Sequence, residues 1–256
     1  MAVAAGVNLR YFTRSFRVLR AYLLIVLVTL LSECIHGNTK GELESLKRLG
    51  KGDSRRDLRE LQQIFILFPS DFQYVTCGSV VKLLNIQHNV RLHSHEVKYG
   101  SGSGQQSVTG VDAPDDGNSY WVIKGRVESP CQRGTLIKCG STIRIQHLAT
   151  KRNLHSHHFQ SPISHNQEVS AFGEDGVGDN LDEWSVVCST KHWQRKDTVR
   201  FKHKETKVYL HVTGDEFGRP IHGQREISGY SYPELGNEWK TMEGIYIKPD
   251  ALDADV

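Results

Sequence analysis

The stretch Arg91-Leu-His-Ser-His95 is repeated as Asn153-Leu-His-Ser-His157 and, more loosely, as Tyr209-Leu-His-Val212. In each copy the Leu-His histidine lies 12 residues after the apolar residue that opens a run of alternating apolar and polar residues. The opening residues are Val81, Ile143 and Val199. The same histidine lies 28 or 29 residues before a tryptophan. Two spacings that recur in three copies indicate one repeated structural unit.

Each unit has the sequence pattern of several short strands. Period-two alternation is typical of a half-buried strand, and clusters of Gly, Asn, Asp and Ser separate the apolar runs. A unit of four short strands leaves its sheet edges open, so three units are expected to pack together around one axis. We therefore predict an all-β fold, a β-trefoil with repeats over 71–125, 133–188 and 189–244, because a propeller usually has four or more blades.

One tryptophan closes each unit. These residues are Trp121, Trp184 and Trp239. A single aromatic residue at an equivalent place in every copy predicts a repeated core position. The alternative is a platform on which a sugar ring stacks.

The positive charge of the chain is concentrated near its beginning. Residues 1–34 carry four arginines and one glutamate, which equals the whole net charge of +3. The neutral remainder offers no basic footprint for nucleic acid. An uncharged run over 21–31 follows the arginines and is short for a bilayer span, so we predict a cleaved signal peptide over 1–34 and no membrane attachment afterwards. An uncleaved signal anchor is the alternative.

Residues 35–70 form a separate region of different composition. Leu43, Leu46 and Leu49 are spaced as on a helix, but Gly50 and Gly52 interrupt the pattern. Short helices broken by glycine are marginal in water. We predict a charged, partly helical or disordered spacer, with a partner-binding helix as the alternative.

Four cysteines remain beyond the predicted signal peptide, and they bracket the first two units. An even number in an exported chain suggests disulfide bonds. Cys77 opens the first unit and Cys131 follows its tryptophan; Cys139 and Cys188 stand in the same places around the second. We predict the pairs Cys77–Cys131 and Cys139–Cys188.

Several stretches resemble the stromal cell-derived factor 2 family, whose members contain MIR repeats like those of protein O-mannosyltransferases and inositol trisphosphate receptors. The resemblance covers about residues 73–249. The segments that carry it include Val75-Thr-Cys-Gly-Ser-Val-Val-Lys-Leu83, Tyr99-Gly-Ser-Gly-Ser-Gly-Gln-Gln-Ser-Val-Thr-Gly110, Asn166-Gln-Glu-Val-Ser-Ala-Phe-Gly173 and Trp239-Lys-Thr-Met-Glu-Gly244.

This resemblance implies a non-enzymatic protein of the endoplasmic reticulum lumen that works in folding and quality control. The implied partners are a J-domain co-chaperone, a BiP-type chaperone, and misfolded or O-mannosylated clients; no cofactor is implied. The chain differs from the family in its longer region 35–70. It also ends in Asp253-Ala-Asp-Val256 rather than a Lys-Asp-Glu-Leu-like signal, so secretion is the alternative to retention. A module that binds O-mannosyl or related glycans is the alternative function.

The histidine pairs and the glycine-rich stretch are the candidates for a ligand or client surface. The predicted residues are His93, His95, Tyr99, Gly102, Gln105, Gln106, His155, His157 and His158. Histidines at i and i+2 lie on one face of a strand, where their imidazoles can bind the same metal ion. The third copy lacks the second histidine, and no carboxylate is evident nearby in sequence. We therefore predict no metal site, and a structural histidine that bonds backbone; no catalytic constellation stands out either.

Overall fold

The structure is a computed structural model that describes residues 72–250. The predicted signal peptide and spacer, as well as residues 251–256, lie outside the described residues. Between residues 72 and 250, no helix has the length and apolar content needed to cross a bilayer. The described chain contains strands and short 3-10 turns, so the prediction of an all-β fold is confirmed.

Twelve strands fall into three sets of four along the described chain. The first set is β1 (Val80–Asn85), β2 (Val90–Lys98), β3 (Gln106–Val111) and β4 (Trp121–Lys124). The second set is β5 (Thr142–His147), β6 (Asn153–Gln160), β7 (Gln167–Phe172) and β8 (Trp184–Val187). The third set is β9 (Arg200–His203), β10 (Tyr209–Glu216), β11 (Arg225–Tyr230) and β12 (Trp239–Ile245). A three-residue 3-10 turn precedes the fourth strand of every set.

All strand pairs are antiparallel, and the pairings repeat from set to set. The fourth strand of each set pairs with the first strand of the next, with β12 returning to β1. The third strands β3, β7 and β11 pair with one another. Ten strands, taken in the order β10-β9-β8-β5-β4-β1-β2-β3-β7-β11, therefore form a closed ring of hydrogen-bonded neighbours. Closure leaves no free sheet edge along this ring.

The three repeated tryptophans lie in the core, as predicted. Trp121, Trp184 and Trp239 have no exposed surface. Each indole nitrogen donates to the carbonyl of the leucine in the Leu-His dipeptide of its own set, at 2.8, 2.9 and 3.0 Å. The spacing between histidine and tryptophan is therefore the distance along the chain between two strands joined by this hydrogen bond.

Both predicted disulfide bonds are present. Cys77 and Cys131 have Cα atoms 6.1 Å apart, and those of Cys139 and Cys188 are 5.3 Å apart, within the usual range. Each bond ties the segment before the first strand of its set to the segment after the fourth. The third set contains no cysteine.

Candidate functional site

The Leu-His histidine of each set is buried, and its partner is a side chain from the approach to the tryptophan. His93 Nδ1 lies 2.8 Å from Asp116, and His155 Nδ1 lies 2.9 Å from Asp182. In the third set, His211 Nδ1 is 3.2 Å from the amide of Asn237. The expectation that this histidine bonds backbone is wrong, because a carboxylate or amide side chain takes the place of a carbonyl.

A different pair of histidines forms hydrogen bonds with the backbone. His147 and His203 end the first strands of the second and third sets, and both are fully buried. Their Nε2 atoms lie 2.9 and 2.8 Å from the backbone oxygens of Asn118 and Leu181. Burial lowers the pKa of both imidazoles to about 4, so they are neutral at pH 7.

The acidic residues are positioned by the 3-10 turns before the tryptophans. In the second set, Asp179 caps the turn by accepting from the Leu181 amide at 2.8 Å, and Asp182 accepts from the Asp179 amide at 3.0 Å. Burial raises the pKa of Asp182, and the hydrogen bond from His155 offsets this only in part. At Asp116 the balance is reversed: burial raises its pKa, but hydrogen bonds from Ser119 and His93 outweigh burial and leave it lowered.

The second histidine of each pair has a different partner in the first and second sets. His95 Nδ1 lies 2.8 Å from His93 Nε2, whereas His157 Nε2 lies 3.0 Å from Glu168 on β7. Burial lowers the pKa of His95, and the neighbouring His93 contributes in the same direction. The two pairs are similar in sequence but differ in their partners.

The predicted ligand or client surface is only partly a surface. Four of its residues are buried: His93, Tyr99, Gln106 and His155. The Tyr99 hydroxyl lies 2.9 Å from the Val108 carbonyl, and Gln106 Nε2 donates to Ser94 Oγ at 2.7 Å. The prediction that these four lie on an exposed surface is wrong, because they are buried and their polar atoms bond inside the fold. The remaining five are partly or fully exposed: His95, Gly102, Gln105, His157 and His158. Contact of these five with a ligand or client stays a prediction.

The glycine-rich stretch over 100–104 is held by a buried carboxylate. Ser103 donates to Glu168 through its hydroxyl and, at 3.2 Å, through its backbone amide. Burial raises the pKa of Glu168, but hydrogen bonds from His157 and Ser103 outweigh this and lower it overall. Glu226 has the equivalent position on β11 and accepts from the Ile163 amide at 2.8 Å. Buried carboxylates therefore fix two loops at the same end of the sheet.

We expect Gly102→Ala to lower the free energy of unfolding by about 2–3 kcal/mol, against about 1 kcal/mol for Gly104→Ala. Both glycines have positive φ, at 64° and 67°, so both substitutions strain the backbone. A Cβ at Gly102 also meets the Glu168 carboxylate, whereas a Cβ at Gly104 meets nothing within 4 Å. Urea unfolding of the two variants measures the difference, and equal losses would show that Glu168 does not clamp the loop.

Three exposed apolar side chains stand on two segments that strand pairing brings together, Ile86 on one and Tyr232 and Leu235 on the other, and we call them the Tyr232 patch. These side chains are 42, 70 and 62% exposed. The Ile86 amide donates to the Glu238 carbonyl at 3.1 Å, which brings the turn after β1 against the segment before β12. Tyr230 packs edge-on against Tyr232, with ring centroids 5.9 Å apart. The pairing of β1 with β12 and this hydrogen bond bring the two segments together from distant parts of the sequence, so no local pattern indicates the patch.

Comparison with known proteins agrees with this architecture. Residues 82–192 match the MIR domain family. Stromal cell-derived factor 2 of Mus musculus is 62% identical over 183 residues, which span 72% of this chain and 87% of the mouse protein. The chain belongs to the stromal cell-derived factor 2 family, which confirms the family resemblance found in its sequence.

Two solved structures show the same fold. The crystal structure of the SDF2-like protein from Arabidopsis thaliana is 42% identical, with a TM-score of 0.67 over 69% of this chain and 99% of that one. The Pmt1-Pmt2 protein O-mannosyltransferase complex of S. cerevisiae, bound to its sugar donor, is 24% identical, with a TM-score of 0.58 over 70% of this chain and 28% of that chain. The second likeness concerns the fold alone.

Proposed function

We propose that this chain is a non-enzymatic β-trefoil of three MIR repeats that binds client proteins in the secretory pathway, in the endoplasmic reticulum lumen or after secretion. It works with a J-domain co-chaperone and a BiP-type chaperone in folding and quality control. Its clients are misfolded or O-mannosylated chains. Membership of the stromal cell-derived factor 2 family supports the proposal, and the two disulfide bonds suit an oxidising compartment.

The β-trefoil proposal rests on the cyclic order of the strand pairs. In every set the fourth strand pairs with the first strand of the next set, and the three third strands pair with one another. The hydrogen bond from tryptophan to leucine carbonyl recurs in all three sets. A threefold arrangement explains both features with one unit.

The Tyr232 patch is the observation that best supports the proposed client binding. Exposed apolar residues that are grouped on a protein surface indicate an interaction site. An extended apolar segment of an unfolded client fits this patch, because such a segment presents side chains that water solvates poorly. Tyr232 adds an amphipathic ring that loses little conformational entropy on contact.

We expect the double variant Tyr232→Ala/Leu235→Ser to lose most of the ability of the protein to suppress aggregation of a reduced, unfolded client. Light scattering at fixed client concentration measures this loss, and circular dichroism checks that the variant is folded. Phe159→Ser is the matched control, because Phe159 is 52% exposed on β6, outside the patch. If the double variant protects the client as well as the parent, the patch is not the client site. Crosslinked pulldown with the J-domain co-chaperone tests the partner separately.

A glycan site at the same place is the second candidate, favoured by one observation. Glu234 Oε1 lies 3.5 Å from His211 Nε2, and this half-exposed carboxylate is two residues along the chain from exposed Tyr232. An aromatic face beside a hydrogen-bond acceptor suits a sugar ring. A glycan array discriminates the two functions: sugar binding depends on Tyr232 and Glu234 but not on Leu235, whereas client binding depends on Tyr232 and Leu235 but not on Glu234. An array without signal above background would eliminate the glycan function.

A further inference from the structure

His155 has two aspartates around one of its ring nitrogens. His155 Nδ1 lies 2.9 Å from Asp182 Oδ1 and 3.7 Å from Asp179 Oδ1. All three ligand atoms lie within 4.8 Å of one another. His155 and Asp182 are buried, whereas the Asp179 side chain is 46% exposed, so the group opens to solvent on one side.

These distances suit a small metal ion. A tetrahedral ion with bonds of about 2.0–2.1 Å holds its ligand atoms roughly 3.3 Å apart. The observed 2.9 and 3.7 Å lie on either side of this value. A nitrogen and two carboxylate oxygens are also a donor set that Zn²⁺ takes, with a fourth position left for water or another ligand.

The charge of the group also calls for a cation. In the described part of the chain, the ion-pair partner of both Asp182 and Asp179 is His155, and no lysine or arginine nitrogen lies within 4.0 Å of either carboxylate. The other partners of Asp182 are the neutral Asn153 amide and the Asp179 backbone. Two close carboxylates, one of them buried, that lack a lysine or arginine partner are costly unless a proton, on His155 or on a carboxylate, or a metal ion compensates them.

Asn153 supplies an independent indication. Its side chain is fully buried, and its Nδ2 donates to Asp182 Oδ2 at 3.1 Å. Its Oδ1 is buried without a hydrogen-bond partner, which is uncommon for a polar atom in a folded protein. Rotation of this amide turns the unpaired oxygen toward the aspartates, where it can coordinate an ion.

The other two sets provide an internal comparison. The first set has His93 and Asp116, but Ser119 takes the place of the inner aspartate. In the third set, Asn237 takes that place beside His211. The second set alone combines the histidine with carboxylates at both positions.

We propose that His155, Asp179 and Asp182 bind one divalent transition-metal ion of the Zn²⁺ type, with Asn153 as a further oxygen donor. The ion joins β6 to the turn before Trp184 and replaces the His155–Asp182 hydrogen bond. This site goes beyond the proposed client binding and does not depend on it.

Titration calorimetry of the untagged full chain, stripped of metal by a chelator, tests the site with Zn²⁺ as the probe. We expect the parent protein to bind one equivalent more than Asp179→Asn, in which affinity at this site falls more than about tenfold. This is a lower bound, since even groups outside the ligand set are worth 10–100-fold in metal affinity. Asparagine is a good cap for the turn, so Asp179→Asn preserves the fold. Asp116→Asn, the matched change in the first set, is expected to retain the extra equivalent.

A second variant and a second ion keep the test decisive. Asp182→Asn copies the third set and is expected to lose the same equivalent. Zn²⁺ is also expected to raise the midpoint of thermal unfolding of the parent but not of either variant. Equal Zn²⁺ stoichiometry and affinity in the parent and in both variants would overturn the proposal. Binding of Ca²⁺ as tight as that of Zn²⁺ would overturn the assignment to a transition metal, because Ca²⁺ prefers oxygen ligands alone.

Discussion

Replacing Trp184 with alanine is expected to lower the free energy of unfolding by about 3–5 kcal/mol. The indole is fully buried, and its ring packs against His203 with centroids 4.9 Å apart. Its removal leaves a large cavity and also leaves the Leu154 carbonyl without its donor at 2.9 Å. Because small domains are stable by about 5–15 kcal/mol, this single change removes a large share of the total.

Urea unfolding followed by circular dichroism measures the loss, and the phenylalanine variant separates its two causes. Trp184→Phe keeps most of the ring volume but removes the N–H donor, so we expect about 1–3 kcal/mol. Trp121→Ala and Trp239→Ala are expected to match Trp184→Ala, since their hydrogen bonds and burial are equivalent. A loss below about 1 kcal/mol for Trp184→Ala would contradict the assigned core role.

The features that could be predicted from sequence are those whose partners keep a fixed spacing. The tryptophan core positions follow from the repeated distance to the histidine, because in every set the indole hydrogen bond to the leucine carbonyl joins the same two strands. The pairing of Cys77 with Cys131 follows in the same way, since both residues flank one set of strands. Period-two alternation likewise predicts strands, whose inward residues pack in the core.

The remaining features depend on where turns and loops bring side chains after folding. Asp182 is 27 residues from His155, and only the 3-10 turn before Trp184 brings them together. Tyr99 has the appearance of a surface residue beside a glycine-rich stretch, yet its ring packs against Phe217 from the third set. Ile86 and Leu235 are far apart in sequence, and the return of β12 to β1 brings their segments together. Local patterns contain no information about such contacts.

Acidification from pH 7 to pH 5 is expected to lower the free energy of unfolding by roughly 2 kcal/mol for each of two buried histidines, His147 and His203. Burial lowers the pKa of both to about 4 from the ordinary 6.5. Between these values the unfolded chain binds a proton that the folded protein does not, so stability falls as the pH falls. Below about pH 4 the folded protein binds it as well, and the contribution of these groups levels off. Burial also lowers the pKa of His211 to about 4, so it acts in the same direction.

His203→Gln isolates one of these contributions. The variant loses the contacts of the ring with Thr206 and Leu181, so it is less stable than the parent at pH 7. It also removes the titrating group, and its further loss between pH 7 and pH 5 is therefore expected to be smaller than that of the parent by roughly 2 kcal/mol. Urea unfolding at the two pH values measures both quantities. The control is His222→Gln, at an exposed position, which is expected to keep the pH dependence of the parent. If His203→Gln retains the full pH dependence of the parent, the acid sensitivity does not come from this buried imidazole.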